Sequence, residues 1–192
     1  SYNSDGSISG ACGNGTRCVA FLIFKETDKK VVDLFVGSNQ LKSKILENSE
    51  VETIIGVPKT HWKDIPISEN LDTKNLGIEI SDKNNSSSKG GIAVNVGNPH
   101  VIFFVDNIDN FDLEKIGPMV ENNNLFPEKC NFTLANKIGN NHYKVKVWER
   151  GAGLTKACGT AACATAVAAN LEKLENSSTE IEFSLGKLII NI

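Results

Sequence analysis

The chain has 192 residues, 40% of them hydrophobic and 22% charged, which suits one large or two small soluble globular domains with an ample core. Twenty Lys+Arg against 23 Asp+Glu leave a net charge of −3 and a pI near 5.7, so there is no basic footprint for nucleic acid or an anionic membrane. No apolar run approaches the ~18 residues of a membrane span, and five cysteines without a C-x-x-C pair fit neither a disulfide framework nor a ribbon-type zinc site and favour a reduced, cytoplasmic setting.

No signal-peptide pattern opens the chain, and its first residue is Ser1 rather than Met, which leaves room for a segment upstream. The segment Ala11-Cys12-Gly13-Asn14-Gly15-Thr16-Arg17-Cys18 leads into the apolar run 19–24. With no polar face, that run predicts a helix buried on every side. Residues 31–36, 41–46 and 51–57 read as strands with turns at 37–39 and 47–49. Pro58 and Pro66 bracket a polar segment, 59–64, expected to be an extended crossing between an N-terminal half, 1–57, and a C-terminal half, 58–192. The Ser-, Asn- and Lys-rich stretch 82–91 reads as a mobile surface loop. Strands follow at 92–96 and 101–105, joined by Gly97-Asn98-Pro99-His100. A helix over 112–121 should be kinked or divided at Gly117-Pro118. Residues 130–137 and 142–148 form a hairpin about 139–140, and 181–185 with 188–192 another about 186–187. The expected fold is α+β, two similar halves, each a curved, mostly antiparallel sheet (a half-open barrel) around one central helix.

The stretch Glu149-Arg150-Gly151-Ala152-Gly153-Leu154-Thr155-Lys156-Ala157-Cys158-Gly159-Thr160 enters a second apolar run, 161–169. It repeats the arrangement around Cys12, a Cys-Gly pair at the mouth of a buried helix, and the two cysteines are expected to face each other. Gly13, Asn14, Gly159 and Thr160 would leave the first-turn N–H groups open to a carboxylate. The helix dipole would lower each thiol from ~8.5 toward ~3.5–7.5. Cys18, Cys130 and Cys163 are read as small buried apolar residues.

The motifs Asn3-Ser4-Asp5-Gly6-Ser7, Ala11-Cys12-Gly13-Asn14-Gly15, Gly97-Asn98-Pro99-His100 and 149–160 resemble, in order and spacing, the signature motifs of the diaminopimelate epimerase family. The resemblance implies a cofactor-independent isomerase in which Cys12 and Cys158 act as paired acid and base. It further implies substrate-binding positions at Asn3, Gly13, Asn14, Asn98, Asn131, Glu149, Arg150, Gly159 and Thr160, with His100 and Glu149 near the reacting centre. Chains of the family begin with further strands and extend beyond the position of Ile192. On that pattern the helix over 19–24 has too little cover from 31–57. Leu154-Thr155-Lys156 replaces the family's more usual Glu-Thr-Leu, and Ala162 stands where Gly is common; neither change removes a proposed site group.

Removing an α-proton from an amino acid needs a base on one face, an acid on the other, and stabilisation of the carboxylate as it becomes enediolate-like. The expected partner is therefore a small amino-acid substrate, diaminopimelate, with no nucleic acid, membrane, cofactor or metal, and with a homodimer as one assembly. A proline or hydroxyproline racemase of the same scaffold is the nearest alternative, but those carry His where Asn14 stands. A metal-binding module using the paired cysteines is the alternative from another class. Gly13-Asn14-Gly15-Thr16-Arg17 lacks the phosphate-loop frame, and three histidines, His61, His100 and His142, form no metal motif.

Overall fold

A computed structural model of the chain describes residues 13–36, 39–172 and 178–192. Asn3, Cys12 and part of the turn at 37–39 lie outside them. The chain separates into two compact units, Ser1–Val57 and Pro58–Ile192.

In the first unit, helix α1 (Gly13–Thr27) packs on the antiparallel sheet β1 (Val31–Val36), β2 (Asn39–Ile45) and β3 (Val51–Ile54), in the order β1-β2-β3. The alternation of β2 turns Leu41, Ser43 and Ile45 inward, as the two-residue period of a half-buried strand requires. Ser43 Oγ and Thr53 Oγ1, directly opposite in the register, satisfy each other at 2.8 Å. The helix ends where Asp28 adopts φ 57 and returns its N–H to Phe24 O. α1 is not buried on every side. Only Gly13, Thr16 and Ala20 are buried, whereas Val19 and Leu22 are exposed, because one three-stranded sheet covers one helix face. The limited cover expected from residues 31–57 is what the unit displays.

In the second unit the sheet runs β12-β11-β9-β8-β7-β6, with β10 paired to β9. Its strands are β6 (Ile92–Asn95), β7 (Pro99–Phe104), β8 (Asn131–Gly139), β9 (His142–Glu149), β10 (Gly153–Thr155), β11 (Ser178–Phe183) and β12 (Gly186–Asn191). Most neighbours are antiparallel, but β7–β8 and β9–β11 are parallel. Helix α3 (Gly159–Leu171) lies on one face. Its alanines let the backbone approach Val94, Ile102, Tyr143, Val147 and Ile181, and it is buried almost throughout. Here the apolar run of the sequence and the environment agree. Helix α2 (Leu113–Glu121) covers the other face through Leu113, Ile116 and Val120. The α+β architecture thus uses one plan twice, a sheet against one main helix.

Several local expectations are corrected. Residues 82–91 are not a loose loop: β4 (Ile78–Ser81) and β5 (Ser87–Gly90) form an antiparallel hairpin. Its turn is closed by Asp82 Oδ1, which accepts from the N–H groups of Asn84 and Ser86 at 2.8 Å each, while Asn85 takes φ 62. Asp and Asn side chains specify a turn in this way as readily as they populate loose chain. Pro118 does not divide α2, which is one continuous helix with proline inside it. Burial of Leu113, Ile116, Gly117 and Val120 outweighs the one intrahelical bond that the ring forfeits. Segment 59–64 is not extended throughout. Lys59 bridges Asn95, then the chain turns, with Asp64 N–H bonded to His61 O, and delivers Ile65 and Ile67 to the core. The last hairpin turns two residues earlier than expected, with Phe183 opposite Gly186 and Leu185 exposed at its tip. Among the described residues no helix is long and apolar enough to cross a membrane.

Candidate active site

Three strand ends and one helix end meet in the second unit. Parallel pairing of β7 and β8 sets His100 beside Asn131, and β9 ends with Glu149 one step past the Phe132–Trp148 pair. The chain then turns through Arg150, Gly151 and Ala152, with Gly151 at φ 73 and Gly153 at φ 79. β10 returns along β9 with Gly153 opposite Glu149. A left-handed turn of this kind favours glycine, which explains the Gly-Ala-Gly spelling. Thr155 Oγ1 donates to Glu149 Oε1 at 2.5 Å across this hairpin. Cys158 follows as the N-cap of α3, with extended backbone (φ −142, ψ 115).

Cys158 is 6% exposed, and its thiol is not lowered. Burial pushes it up to about 12, the nearby Glu149 carboxylate adds to the rise, and the hydrogen bonds from Thr160 and the Ala161 N–H only partly oppose it. The Sγ–Thr160 Oγ1 distance is 3.3 Å. The expectation drawn from the helix dipole is corrected here: desolvation and a neighbouring negative charge exceed the dipole. Cys158 at neutral pH is a thiol, a proton donor. Gly159 and Thr160, both buried at the first turn, precede the first intrahelical bond, which runs from Ala162 N–H to Cys158 O.

His100 is completely buried and its pKa is lowered to about 3, first by desolvation and then by the Arg150 charge. It is a neutral ring that acts through hydrogen bonds. Nε2 meets Asn98 Oδ1 at 2.9 Å and lies 3.5 Å from Asn131 Nδ2. Asn131 Nδ2 donates to Pro99 O at 3.1 Å, and Asn131 Oδ1 accepts from the Arg150 N–H at 3.0 Å. The Arg150 guanidinium donates to Glu128 O at 2.6 Å. Asn98 with His100 and Asn131 with Arg150 thus form two adjacent hydrogen-bonded pairs, while Glu149, Thr155, Cys158 and Thr160 form a chain joined to Asn131 through the Glu149–Arg150 peptide.

Of the other predicted residues, Gly13 is buried at the start of α1 and Asn14 Oδ1 accepts from Arg17 Nη2 at 2.5 Å, both in the first unit. Asn3 and Cys12 lie outside the described residues. Cys130 is buried, with its thiol raised to about 12 mainly by burial, but Cys18 is exposed, which corrects the expectation for it; it lies on the uncovered side of α1. Among the described residues no group of three or more His, Cys, Asp or Glu could hold a metal ion. Sequence reasoning missed two participants. Thr155 carried a signal, since it stands within the motif itself. Glu121, which accepts from the Trp148 indole, carried none, because only tertiary folding brings it near residue 149.

The sequence model of a family described as diaminopimelate epimerase matches residues 92–192. The chain is 66% identical over 191 residues to a diaminopimelate epimerase of Pelagibacter ubique, covering 100% of this chain and 70% of that protein. It is 42% identical to one from Afipia carboxidovorans, covering 98% of this chain and 66% of that protein. The chain therefore spans about two thirds of the length of these relatives. Among solved structures, a hydroxyproline epimerase from Agrobacterium vitis with bound trans-4-hydroxy-L-proline superposes with a TM-score of 0.66 at 10% identity, over 99% of this chain and 60% of that one. A phenazine biosynthesis protein of the PhzF family from Bacillus anthracis gives 0.61 at 14% identity, over 97% and 69%. These two likenesses concern the fold.

Proposed function

This chain belongs to the diaminopimelate epimerase family, and on that premise we propose that it carries the proton-transfer site of an epimerase that interconverts LL- and meso-2,6-diaminopimelate without a cofactor. The observation that carries the reading is the Cys158 thiol, held protonated at the mouth of a buried helix beside Glu149. A two-base reaction needs one sulfur as thiol and the other as thiolate at the start. In the free site Cys158 is the thiol, and Cys12 is assigned the thiolate. Cys12 takes the α-proton from one face and Cys158 delivers its proton to the other; the reverse reaction exchanges the roles. Their titrations belong to the pair, not to either sulfur alone.

The substrate α-carboxylate is assigned to the first turn of α3, at Gly159 and Thr160, where N–H groups without a preceding carbonyl and the helix dipole favour an anion. Those donors stabilise the charge that grows on the carboxylate as the α-carbon is deprotonated. Gly13 and Asn14 are assigned the same task at α1. Asn3, Asn98, Asn131, Glu149 and Arg150 are assigned to the ammonium and carboxylate groups of the substrate, and His100 holds Asn98 as a neutral ring. The product feeds lysine and cell-wall precursor synthesis, the compartment is the cytoplasm, and the assembly is a homodimer.

The test is solvent deuterium incorporation at the α-carbon of LL- and meso-diaminopimelate, with proline and hydroxyproline as controls. Incorporation into diaminopimelate that is lost in Cys158→Ala is the expected result. Incorporation only into proline or hydroxyproline, or undiminished incorporation in Cys158→Ala, overturns the reading.

A further inference from the structure

Glu121 stands in none of the motifs, yet its buried carboxylate holds the segment that carries Glu149 and Arg150 at two points. The Trp148 indole Nε1 donates to Oε2 at 2.7 Å, and the Gly151 N–H donates to Oε1 at 3.1 Å. These are the residue before and the residue after the Glu149–Arg150 pair. Lys129 Nζ lies 3.7 Å from Oε1. A carboxylate at 7% exposure loses hydration that an apolar side chain would not need, so its retention calls for compensating hydrogen bonds. Charge-assisted bonds of this kind are shorter and more directional than neutral ones.

Helix α2 is shaped to the same end. At Gly117 an added Cβ would lie 2.4 Å from Trp148 Cδ2, so only glycine lets the indole reach across the helix to Glu121. The last turn also holds the neighbouring strand: the Cys130 N–H donates to Glu121 O and the Cys130 thiol to Val120 O, each at 3.4 Å. Asn131, next in the chain, accepts from the Arg150 N–H. The end of α2 is therefore bonded to the start of β8, through Cys130 just before Asn131, and to the end of β9, through Trp148 and Gly151.

We propose that Glu121 is a positioning residue of the candidate site, a buried clamp that fixes the Glu149–Arg150 segment relative to Cys158, with Gly117 and Trp148 as its supports. The proposal rests on the reading of Glu149 as a site residue, but it has a readout independent of epimerase activity. Glu149 raises the Cys158 thiol, so loosening the segment lowers it. Glu121→Gln keeps the size and one acceptor while facing an N–H donor against the other N–H. Trp148→Phe removes one of the two bonds and leaves the carboxylate.

The experiment follows alkylation of Cys158 against pH by peptide mass spectrometry in wild type and both variants, with circular dichroism to establish the fold. In at least one folded variant the midpoint should fall by about one pH unit, and any activity on diaminopimelate should fall about 10- to 100-fold through kcat/KM. A midpoint equal to wild type in whichever variant folds overturns the proposal, whether or not the chain is active. If wild type turns over no diaminopimelate but the midpoint still moves, the clamp stands and the functional reading is what fails. Loss of folding in both variants makes Glu121 and Trp148 scaffold residues and also overturns it.

Discussion

His100 Nε2 lies 2.9 Å from Asn98 Oδ1, and an oxygen at that distance requires the proton on Nε2. Asn131 Nδ2, at 3.5 Å and bonded to Pro99 O, is a donor and offers Nε2 no acceptor. His100 Nδ1 is then a bare, buried acceptor with no hydrogen-bond partner among the described residues. Protonating this ring buries a charge near Arg150.

The consequence is an acid-sensitive fold. His100 titrates at 6.5 when exposed and near 3 when folded. Between these values the unfolded chain binds the extra proton, so His100's contribution is present above about 6.5 and is lost as pH falls toward 3, at a slope on the order of 1 kcal/mol per pH unit. Urea denaturation of wild type and His100→Gln over this window should show a shallower fall for the variant. Parallel curves would show that His100 is not the group responsible.

Cys158 gives the opposite sign. Its thiol lies near 12 folded against 9.0 unfolded, so its contribution is present below about 9 and is lost as pH rises from there toward 12. Cys130, also near 12, acts in the same window. Glu149→Gln should lower the Cys158 midpoint, because a charge that raises the thiol has been removed. Alkylation of Cys158 against pH measures this, and an unmoved or higher midpoint in the folded variant would count against Glu149 as a cause.

The two main helices should respond in contrasting ways. Ala164 is fully buried on α3, so Ala164→Leu forces an isopropyl group into a packed layer and should destabilise by about 1–3 kcal/mol. Leu22 is 59% exposed on α1, so Leu22→Ser should change stability of this chain by no more than about 0.5 kcal/mol. Thermal denaturation of both variants checks this. A large loss from Leu22→Ser would mean that the outer face of α1 is covered in solution.

Cys12→Ala and Cys158→Ala should each abolish epimerisation of diaminopimelate, since a two-base reaction fails when either face loses its proton carrier. Loss of conversion is measured by separating the LL and meso isomers. Near-normal turnover in either variant would falsify the two-thiol assignment.

Local composition was sufficient for several features. The all-apolar run 161–169 has no surface to offer water, and it lies buried as α3. The β-branched and aromatic content of 31–36 specified a strand, and the Gly-Asn-Asn stretch at 139–141 specified a hairpin turn, because strand composition and turn stereochemistry are local properties. Gly139 pairs with His142, however, so the turn falls on Asn140 and Asn141, one residue later than expected. The small-residue stretch before the second apolar run led directly to the cysteine at the helix mouth, and the structure shows why glycine stands there, with Gly151 at φ 73 and Gly153 at φ 79. What sequence alone could not supply depends on distance through space. Cys158 sits at a helix N-terminus, which argued for a lowered thiol, but its burial and the approach of Glu149 reverse the sign. The same kind of apolar run gave a buried α3 and a half-exposed α1, because burial depends on which sheet lies opposite and how wide it is. Glu121 was invisible as a site residue because its bonds to Trp148 and Gly151 span 27 and 30 residues. Desolvation, Coulomb interaction and long-range hydrogen bonds are set by neighbours in space, and those neighbours exist only once the chain has folded.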